Sequence, residues 1–185
     1  ILYDVYSASA PGGESFGTPL LTTTPGATGV TVSALTPDTT YYFVVRARDT
    51  AGNADTNTTE KSAKTDKDTT APVFGGATTI AVVSETQLRV TWTGATDDNT
   101  ASTQIVYQVC WSTSATGCNG GSFTAMSTTA AGATSATVGG VGVLLPATSY
   151  TIVVRAKDLS GNVDANDADQ TASTLAYTTP PTWLG

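Results

Sequence analysis

The chain has 185 residues, a formal net charge of −7 at pH 7 and only 12% charged residues. A nucleic-acid-binding surface needs clustered Lys and Arg, so this balance argues against nucleic-acid partners. Histidine is absent, which removes the commonest general base and argues against most catalytic triads and zinc sites. No apolar run approaches the roughly 20 residues of a membrane-spanning helix, so no membrane insertion is predicted.

The first strongly patterned segment is a strand near residues 41–48. Its apolar side chains alternate, so Tyr41, Phe43 and Val45 are expected to face a core, while Arg46 and Arg48 face solvent. Similar period-two segments recur along the chain, separated by clusters of Gly, Pro, Asn and Asp. No segment has a persuasive helical period, and the sequence therefore predicts an all-β protein.

A short polar linker that ends in proline is predicted at residues 66–72. Beyond it, the strand at residues 87–92 and the strands that follow alternate in the same way. We expect one core to contain the inward side chains of these strands, namely Trp92, Tyr107, Val109, Tyr150, Ile152 and Val154.

The two cysteines of the chain, Cys110 and Cys118, flank a segment that ends a strand and enters a turn. Cysteines on either side of such a turn can reach disulfide geometry, with Cα atoms about 4.4–6.8 Å apart. Metal binding is the weaker alternative, because two thiolates without further ligands make a poor site. A disulfide indicates an oxidising compartment, and hence a secreted or surface protein.

An internal repeat organises the chain. Residues 35–53 (LTPDTTYYFVVRARDTAGN) match residues 144–162 (LLPATSYTIVVRAKDLSGN) at a constant offset of 109 (144 − 35). The segment at 69–72 matches 178–181 at the same offset, and residues 1–5 match 105–109. A period of this length is about that of one β-sandwich domain and too long for a helical solenoid repeat.

The second copy resembles a complete fibronectin type III domain. It has the inward Trp92 of the second strand, the inward Tyr107 of the third and a Leu-x-Pro-x-Thr-x-Tyr segment that ends at Tyr150. The resemblance implies an immunoglobulin-like, seven-strand Greek-key sandwich of three- and four-stranded sheets, with a tyrosine corner at Tyr150. The Asp-x-x-Gly-Asn turn at 158–162 is similar to the bacterial branch of the family, found in secreted enzymes and adhesins.

The predicted domains follow from this alignment. Residues 1–66 form a fibronectin type III domain without its first two strands, and residues 67–177 form a complete one. Residues 178–185 begin a further repeat or form a tail. We expect the chain to be a window on a longer array; the alternative is that strands from a neighbouring subunit complete the first domain.

Two acidic loops are the candidate metal site. In this fold they lie at the same end of the sandwich, and their oxygen-bearing side chains suit Ca²⁺, which binds six to eight oxygen ligands. The competing interpretation is turn chemistry, in which Asp accepts backbone N–H bonds and Gly-Asn takes positive φ. The candidate ligands are Asp97, Asp98, Asp158, Asn162 and Asp164.

Catalysis and sugar binding are less favoured by the sequence. A pair of carboxylates could act as in a glycosidase, but a sandwich of about a hundred residues rarely supplies the necessary cleft. A sugar platform needs two or three coplanar exposed aromatic rings. Tyr42 is predicted to face outward and Tyr6 and Tyr177 are ambiguous, whereas Trp111 fits the core pattern.

The sequence therefore predicts a non-enzymatic structural or adhesive array in a secreted, surface or filament protein. Its partners would be neighbouring repeats or filament subunits, and carbohydrate is a further candidate; Ca²⁺ is the candidate cofactor. The alternative function is an accessory carbohydrate-binding or spacer module of a secreted polysaccharide-degrading enzyme.

Overall fold

The computed structural model describes residues 1–140 and 142–178. The chain divides into two compact units, Ile1–Asp68 and Thr69–Gly185. The described residues form strands, loops and one 3₁₀ turn at Gly120–Ser122, with no longer helix among them. Within that described part, no helix is long and apolar enough to cross a membrane. The further repeat predicted at 178–185 falls, from residue 179 onward, outside the described residues.

The first unit contains one four-stranded antiparallel sheet in the order β2-β1-β3-β4. Strands β1 and β3 form its centre and pair over seven residues, from Leu2 opposite Arg48 to Ala8 opposite Tyr42. The short strands at the two edges pair with β1 and β3, respectively. The strands are β1 (Leu2–Ala8), β2 (Leu21–Thr22), β3 (Thr40–Arg48) and β4 (Lys61–Lys64).

The second unit is a sandwich of two antiparallel sheets, one in the order β5-β6-β9 and one in the order β11-β10-β7-β8. Seven strands in three- and four-stranded sheets match the predicted architecture. The strands are β5 (Ala77–Val82), β6 (Gln87–Trp92), β7 (Val106–Ser112), β8 (Ser127–Thr128), β9 (Ser135–Gly139), β10 (Ser149–Lys157) and β11 (Asp169–Ser173).

One core lies between these two sheets, and alternate residues of β6, β7 and β10 fill it. Trp92 is 4% exposed, and its indole Nε1–H donates to the Ala133 carbonyl at 2.9 Å. Its ring lies 5.0 Å from the ring of Tyr107, which is fully buried. The core contains all six residues expected there: Trp92, Tyr107, Val109, Tyr150, Ile152 and Val154.

A tyrosine corner is present in both units. The backbone N–H of Leu145 donates to the Tyr150 hydroxyl at 2.8 Å, and that of Thr36 donates to the Tyr41 hydroxyl at 3.0 Å. The turn before each Tyr contains a residue with positive φ, Ala147 in one unit and Asp38 in the other. The repeat at offset 109 is therefore a repeat of hydrogen bonds as well as of sequence.

The burial of β3 differs from the alternation predicted for it. Val45, expected to be buried, is 42% exposed, whereas Val44 on the opposite face is 1% exposed. Tyr41 and Phe43 are only half-buried. The described residues of the first unit form a single sheet, so its predicted inner face has no second sheet to pack against.

Candidate functional site

The predicted acidic loops bring two carboxylates together. Asp97 follows β6, Asp158 follows β10, and one carboxylate oxygen from each lies within 4.8 Å of the other. Asp158 is 4% exposed. Asp97 Oδ1 accepts the backbone N–H groups of Asn99 and Thr100, while its Oδ2 is a buried atom without a hydrogen-bond partner. This pair is the part of the predicted calcium site that the fold assembles.

The other predicted ligands serve the turns. Asn162 donates through its backbone N–H and its side-chain amide to the two carboxylate oxygens of Asp158, each at 2.7 Å. Asp164 accepts the backbone N–H groups of Ala156 and Asn166. These hydrogen bonds are the turn contacts that the sequence offered as the alternative to calcium binding. In the first unit, Asn53 donates to Asp49 in the same way as Asn162 does to Asp158. Asp98 is exposed and does not join the Asp97–Asp158 pair.

A second, smaller core lies on the opposite face of β7 and β10. Cys110 and Cys118 are joined by a disulfide, which confirms the predicted pairing. Both cysteines are almost fully buried and pack with Val153, and Phe123 covers them. The bridge therefore holds the loop after β7 against the outer face of the sheet.

Arg155 closes this small core from the solvent side. Its guanidinium carbon lies 4.3 Å from the centre of the Phe123 ring. Its Nε donates to the Asn166 carbonyl at 3.0 Å, and its Nη2 contacts Asp167 Oδ1 at 2.5 Å. Arg155 is thus held by a cation–π contact and an ion pair.

The first unit contains the same arrangement without a disulfide. The Phe16 ring lies 5.2 Å from Tyr6, which is 6% exposed, and the guanidinium carbon of Arg46 lies 3.5 Å from the centre of the Phe16 ring. Arg46 Nε donates to the Asn57 carbonyl at 2.9 Å, as Arg155 does to Asn166. We call these two sites the Arg–Phe clamps. The signal that sequence reasoning missed is a lone Phe within each Gly- and Ser-rich loop.

An apolar groove runs along the first unit, on the face of the sheet opposite its clamp. Its volume is about 550 Å³. Tyr3 and Val5 of β1 and Phe43 and Val45 of β3 line one side. The other side is the segment at residues 27–35, and no charged side chain is among the described lining residues.

One described aromatic pair is stacked: the ring centres of Tyr41 and Phe43 lie 6.3 Å apart with their planes at 29°, and both residues are half-buried. Tyr107 and Tyr6 are buried, and Trp111 packs partly against the core. Tyr42 is half-buried and Tyr177 is 69% exposed. Each of the described aromatic ring pairs contains at least one buried or half-buried ring.

Carboxylates are stabilised differently in the two units. In the first, the Arg48 guanidinium holds the pKa of Asp4 below its usual range, through contacts at 2.7 and 3.0 Å. Hydrogen bonds also lower the pKa of three other carboxyls there, Asp38, Asp49 and Asp55. In the second unit the Gly120 N–H and Arg155 lower the pKa of Asp167, whereas burial raises the pKa of Asp164.

We expect acid to destabilise the first unit more than the second. A lowered pKa contributes stability above the unfolded value, near 3.9 for Asp, and this is lost as the pH falls through the folded pKa. The raised pKa of Asp164 has the opposite sign, because its protonation relieves a cost of folding. Amide hydrogen exchange of the full chain at pH 7 and at pH 3 measures the stability of each unit, as protection relative to the unfolded-chain exchange rate at the same pH. The Asp4→Asn variant should flatten the response of the first unit, and equal losses in the two units would contradict this prediction.

The seven-strand topology, the tyrosine corner and the buried Trp92–Tyr107 pair define the class of protein. The second unit has the seven-strand fibronectin type III-like sandwich fold that the sequence motifs predicted. No family profile matches the chain. Solved structures with a similar fold include the FN1–FN3 domains of chicken CNTN1, at 18% identity and a TM-score of 0.44 over 94% of this chain and 56% of that one. The assignment rests on the strand order and hydrogen bonds described above.

Characterised relatives in sequence come from two bacteria. The chain is 37% identical over 155 residues to endoglucanase B of Cellulomonas fimi, covering 82% of this chain and 14% of that protein. It is 36% identical over 171 residues to chitinase A1 of Niallia circulans, covering 89% of this chain and 22% of that protein. Exoglucanase A of Cellulomonas fimi is 37% identical over 140 residues, covering 74% of this chain and 14% of that protein. The chain therefore spans about a seventh to a fifth of the length of these relatives.

Proposed function

We propose that this chain is a non-catalytic accessory module, acting as a spacer, within a secreted enzyme that degrades a polysaccharide. The observation that carries the proposal is the pattern of its relatives. A similar segment occurs in an endoglucanase, an exoglucanase and a chitinase, and it covers a small part of each. A segment common to proteins named for different substrates is a poor candidate for the part that selects the substrate.

The structure of the second unit supports this proposal. Its largest side chains pack into one core between two sheets, and its acidic residues mainly serve turns. A rigid sandwich with short strands and tight turns suits a spacer. The buried Cys110–Cys118 disulfide agrees with an oxidising, extracellular location. The relatives favour this function over the adhesive or filament array, the other function that the sequence predicts.

The experiment that tests the proposal identifies the parent polypeptide. Antibodies raised against the chain should recover, from the culture medium of the source organism, a polypeptide well above 18.7 kDa. That polypeptide should release sugars from cellulose or chitin, whereas the purified 185-residue chain should release none. Recovery from a surface fibre without such activity would favour the filament array instead.

Binding to the polysaccharide itself is a separate part of the proposal. The only stacked pair among the described aromatic rings, Tyr41 and Phe43, is half-buried, so we expect little depletion of the purified chain by microcrystalline cellulose or chitin. Spacer function requires no such binding. Strong depletion would indicate an accessory module that binds the substrate as well as separating domains.

Calcium binding at Asp97 and Asp158 is a second proposal, favoured by their approach within 4.8 Å and by the buried, unbonded Oδ2 of Asp97. Two carboxylates supply only part of the six to eight oxygens that Ca²⁺ requires, so carbonyl groups and water would complete the site. We expect Ca²⁺ to raise the melting temperature of the chain and of Asp98→Asn, but not that of Asp97→Asn. An unchanged melt of the chain with Ca²⁺ and with chelator would show that the loops serve only as turns.

A further inference from the structure

The disulfide of the second unit is closed off from solvent. Cys110 is 1% exposed and Cys118 is 0% exposed. The two cysteines pack with Val153, and Phe123 covers them. Thiol–disulfide exchange begins when a thiolate attacks one of the two sulfurs, so its rate depends on access to them. Both sulfurs are therefore out of reach of an external thiol until the covering segment moves.

The covering segment is residues 119–123, which we call the lid. It consists of the 3₁₀ turn Gly120–Ser122 and the residue on either side. No residue of the turn itself is buried, and Phe123 is half-buried. The backbone hydrogen bonds of the turn are local, from Ser122 to the Asn119 carbonyl at 3.0 Å and from Phe123 to the Gly120 carbonyl at 3.3 Å. These bonds give the lid its shape, but they do not hold it to the sheet.

Two side chains from β10 and the loop after it bind the lid. The Gly120 N–H donates to Asp167 Oδ1 at 2.9 Å, and the Gly120 carbonyl accepts from Arg155 Nη2 at 3.3 Å. The guanidinium carbon of Arg155 also lies 4.3 Å from the centre of the Phe123 ring. Both the backbone and the aromatic ring of the lid are therefore held by the same pair of charged residues, which we call the latch.

The latch is itself fixed to the sheet. Arg155 Nη2 contacts Asp167 Oδ1 at 2.5 Å, and this is the oxygen that also accepts the Gly120 N–H. Arg155 Nε donates to the Asn166 carbonyl at 3.0 Å, and the side-chain amide of Asn166 donates to the Val154 carbonyl at 2.8 Å. The Arg155 side chain is only 13% exposed. A single carboxylate oxygen thus joins the strand to the lid.

The clamp of the first unit, which covers no disulfide, has a threonine in place of this acid. Thr58 aligns with Asp167 at the offset of 109 (167 − 58). The loop of that clamp is bound by another carboxylate, because the Gly12 N–H donates to Glu60 Oε2 at 2.6 Å. A carboxylate shared by the arginine and the loop therefore accompanies the unit that has a disulfide to cover.

We propose that Arg155 and Asp167 latch the lid over Cys110 and Cys118, so that local opening of the lid sets the rate of thiol exchange at this disulfide. The sandwich stays folded while the lid opens, because its main core lies on the other face of β7 and β10. The disulfide is then a redox-sensitive element of the folded chain, and the latch controls its response to an external dithiol. This inference does not depend on the proposed function.

The exchange needs a dithiol and no other reactant. A thiolate of the dithiol attacks one cysteine sulfur, the S–S bond breaks, and the other cysteine leaves as a thiolate. The second thiolate of the dithiol then displaces the first cysteine from the mixed disulfide. The chain gains two electrons and takes up the two protons that the dithiol releases, while the dithiol is oxidised to a cyclic disulfide.

The test measures how fast dithiothreitol reduces the folded full chain at one mildly alkaline pH. Samples are quenched with an excess of a maleimide, and mass spectrometry counts the labelled cysteines. We expect Asp167→Asn and Phe123→Ala each to raise the reduction rate about tenfold or more, because each removes a contact that keeps the lid closed.

Asp169→Asn is the matched control. Asp169 lies opposite Val153 on the neighbouring strand, so it carries the same charge close to the same disulfide. The control removes one negative charge without touching the latch, and it should leave the reduction rate unchanged. An equal acceleration by Asp167→Asn and Asp169→Asn would mean that charge alone governs the attack of the thiolate, and it would overturn the proposal.

Two further measurements separate lid opening from unfolding of the sandwich. Trp92→Phe weakens the main core and does not touch the lid, so this variant should be reduced at the rate of the unchanged chain. Low concentrations of urea should also have little effect, because opening the lid exposes much less surface than unfolding does. The proposal is overturned if either lid variant is reduced no faster than the unchanged chain, or if Trp92→Phe and urea accelerate reduction as they accelerate unfolding.

Discussion

Replacing Trp92 with Ala is expected to lower the free energy of unfolding of the second unit by about 3–5 kcal/mol, the usual cost of truncating a buried aromatic side chain. Trp92 is 4% exposed and packs against Tyr107. Because protein cores are close-packed, its truncation should leave a cavity that the neighbouring side chains fill only in part. The change also leaves the Ala133 carbonyl without its indole donor. Denaturant unfolding followed by circular dichroism measures the loss.

Trp92→Phe is the matched control for that prediction. It keeps an aromatic ring in the core and removes the indole N–H, so it should cost less than Trp92→Ala. A change at Trp111, which packs only partly against the core, should also cost less. If Trp92→Ala unfolds at the same denaturant concentration as the unchanged chain, Trp92 does not organise the core.

Outside that core, the largest loss of stability is expected when the Cys110–Cys118 disulfide is removed. Cys110 and Cys118 are eight residues apart, and the chain-entropy relation gives about 2–3 kcal/mol for a loop of this length. A double substitution of both cysteines by Ala should lower the free energy of unfolding by about that amount. It also removes a buried contact with Val153 and Phe123. Thermal unfolding measures the difference.

A reductant provides the control for the disulfide. It should lower the melting temperature of the unchanged chain, because the unfolded state loses its cross-link. It should have no effect on the double-Ala variant, which has no bridge to reduce. A reductant effect of the same size on both proteins would mean that the loss has another origin.

The fold of the second unit was predictable because each of its signals is local and strong. Alternation assigns the inner faces of β6, β7 and β10, and the Leu-x-Pro-x-Thr-x-Tyr segment fixes the corner at Tyr150. The matching segment at residues 35–53 supports the assignments of β10 and of the corner independently. Where a sheet has its partner sheet, the pattern of apolar residues and the pattern of burial agree.

The burial in the first unit could not be predicted from alternation alone. The pattern identifies Val45 as inward, but burial also needs an opposing layer, which the described residues of that unit do not supply. Val44 on the other face is covered instead, beside the loop that contains Phe16. Alternation reports which face is suited to a core, and only the three-dimensional packing determines which face is covered.

The candidate site was predictable only in part, for a related reason. Asp and Asn at turns look alike whether they bind a cation or their own backbone, so the sequence could not separate Asp97 from Asp164. The two Arg–Phe clamps were missed because each joins a strand to a loop residue about 30 positions away. Nothing in the local pattern links Arg155 to Phe123 or Arg46 to Phe16.

The two clamp loops differ in what a proteolytic cut would do to each unit. Residues 113–116 are exposed, and cleavage there would leave the two fragments joined through Cys110 and Cys118. The loop after β1 in the first unit has no covalent tie, and its exposed residues 9–13 offer a comparable cut. A nick at that loop would leave β1 attached by hydrogen bonds and packing alone. A cut in the clamp loop therefore leaves the fragments of the second unit covalently joined, whereas those of the first unit stay together only through non-covalent contacts.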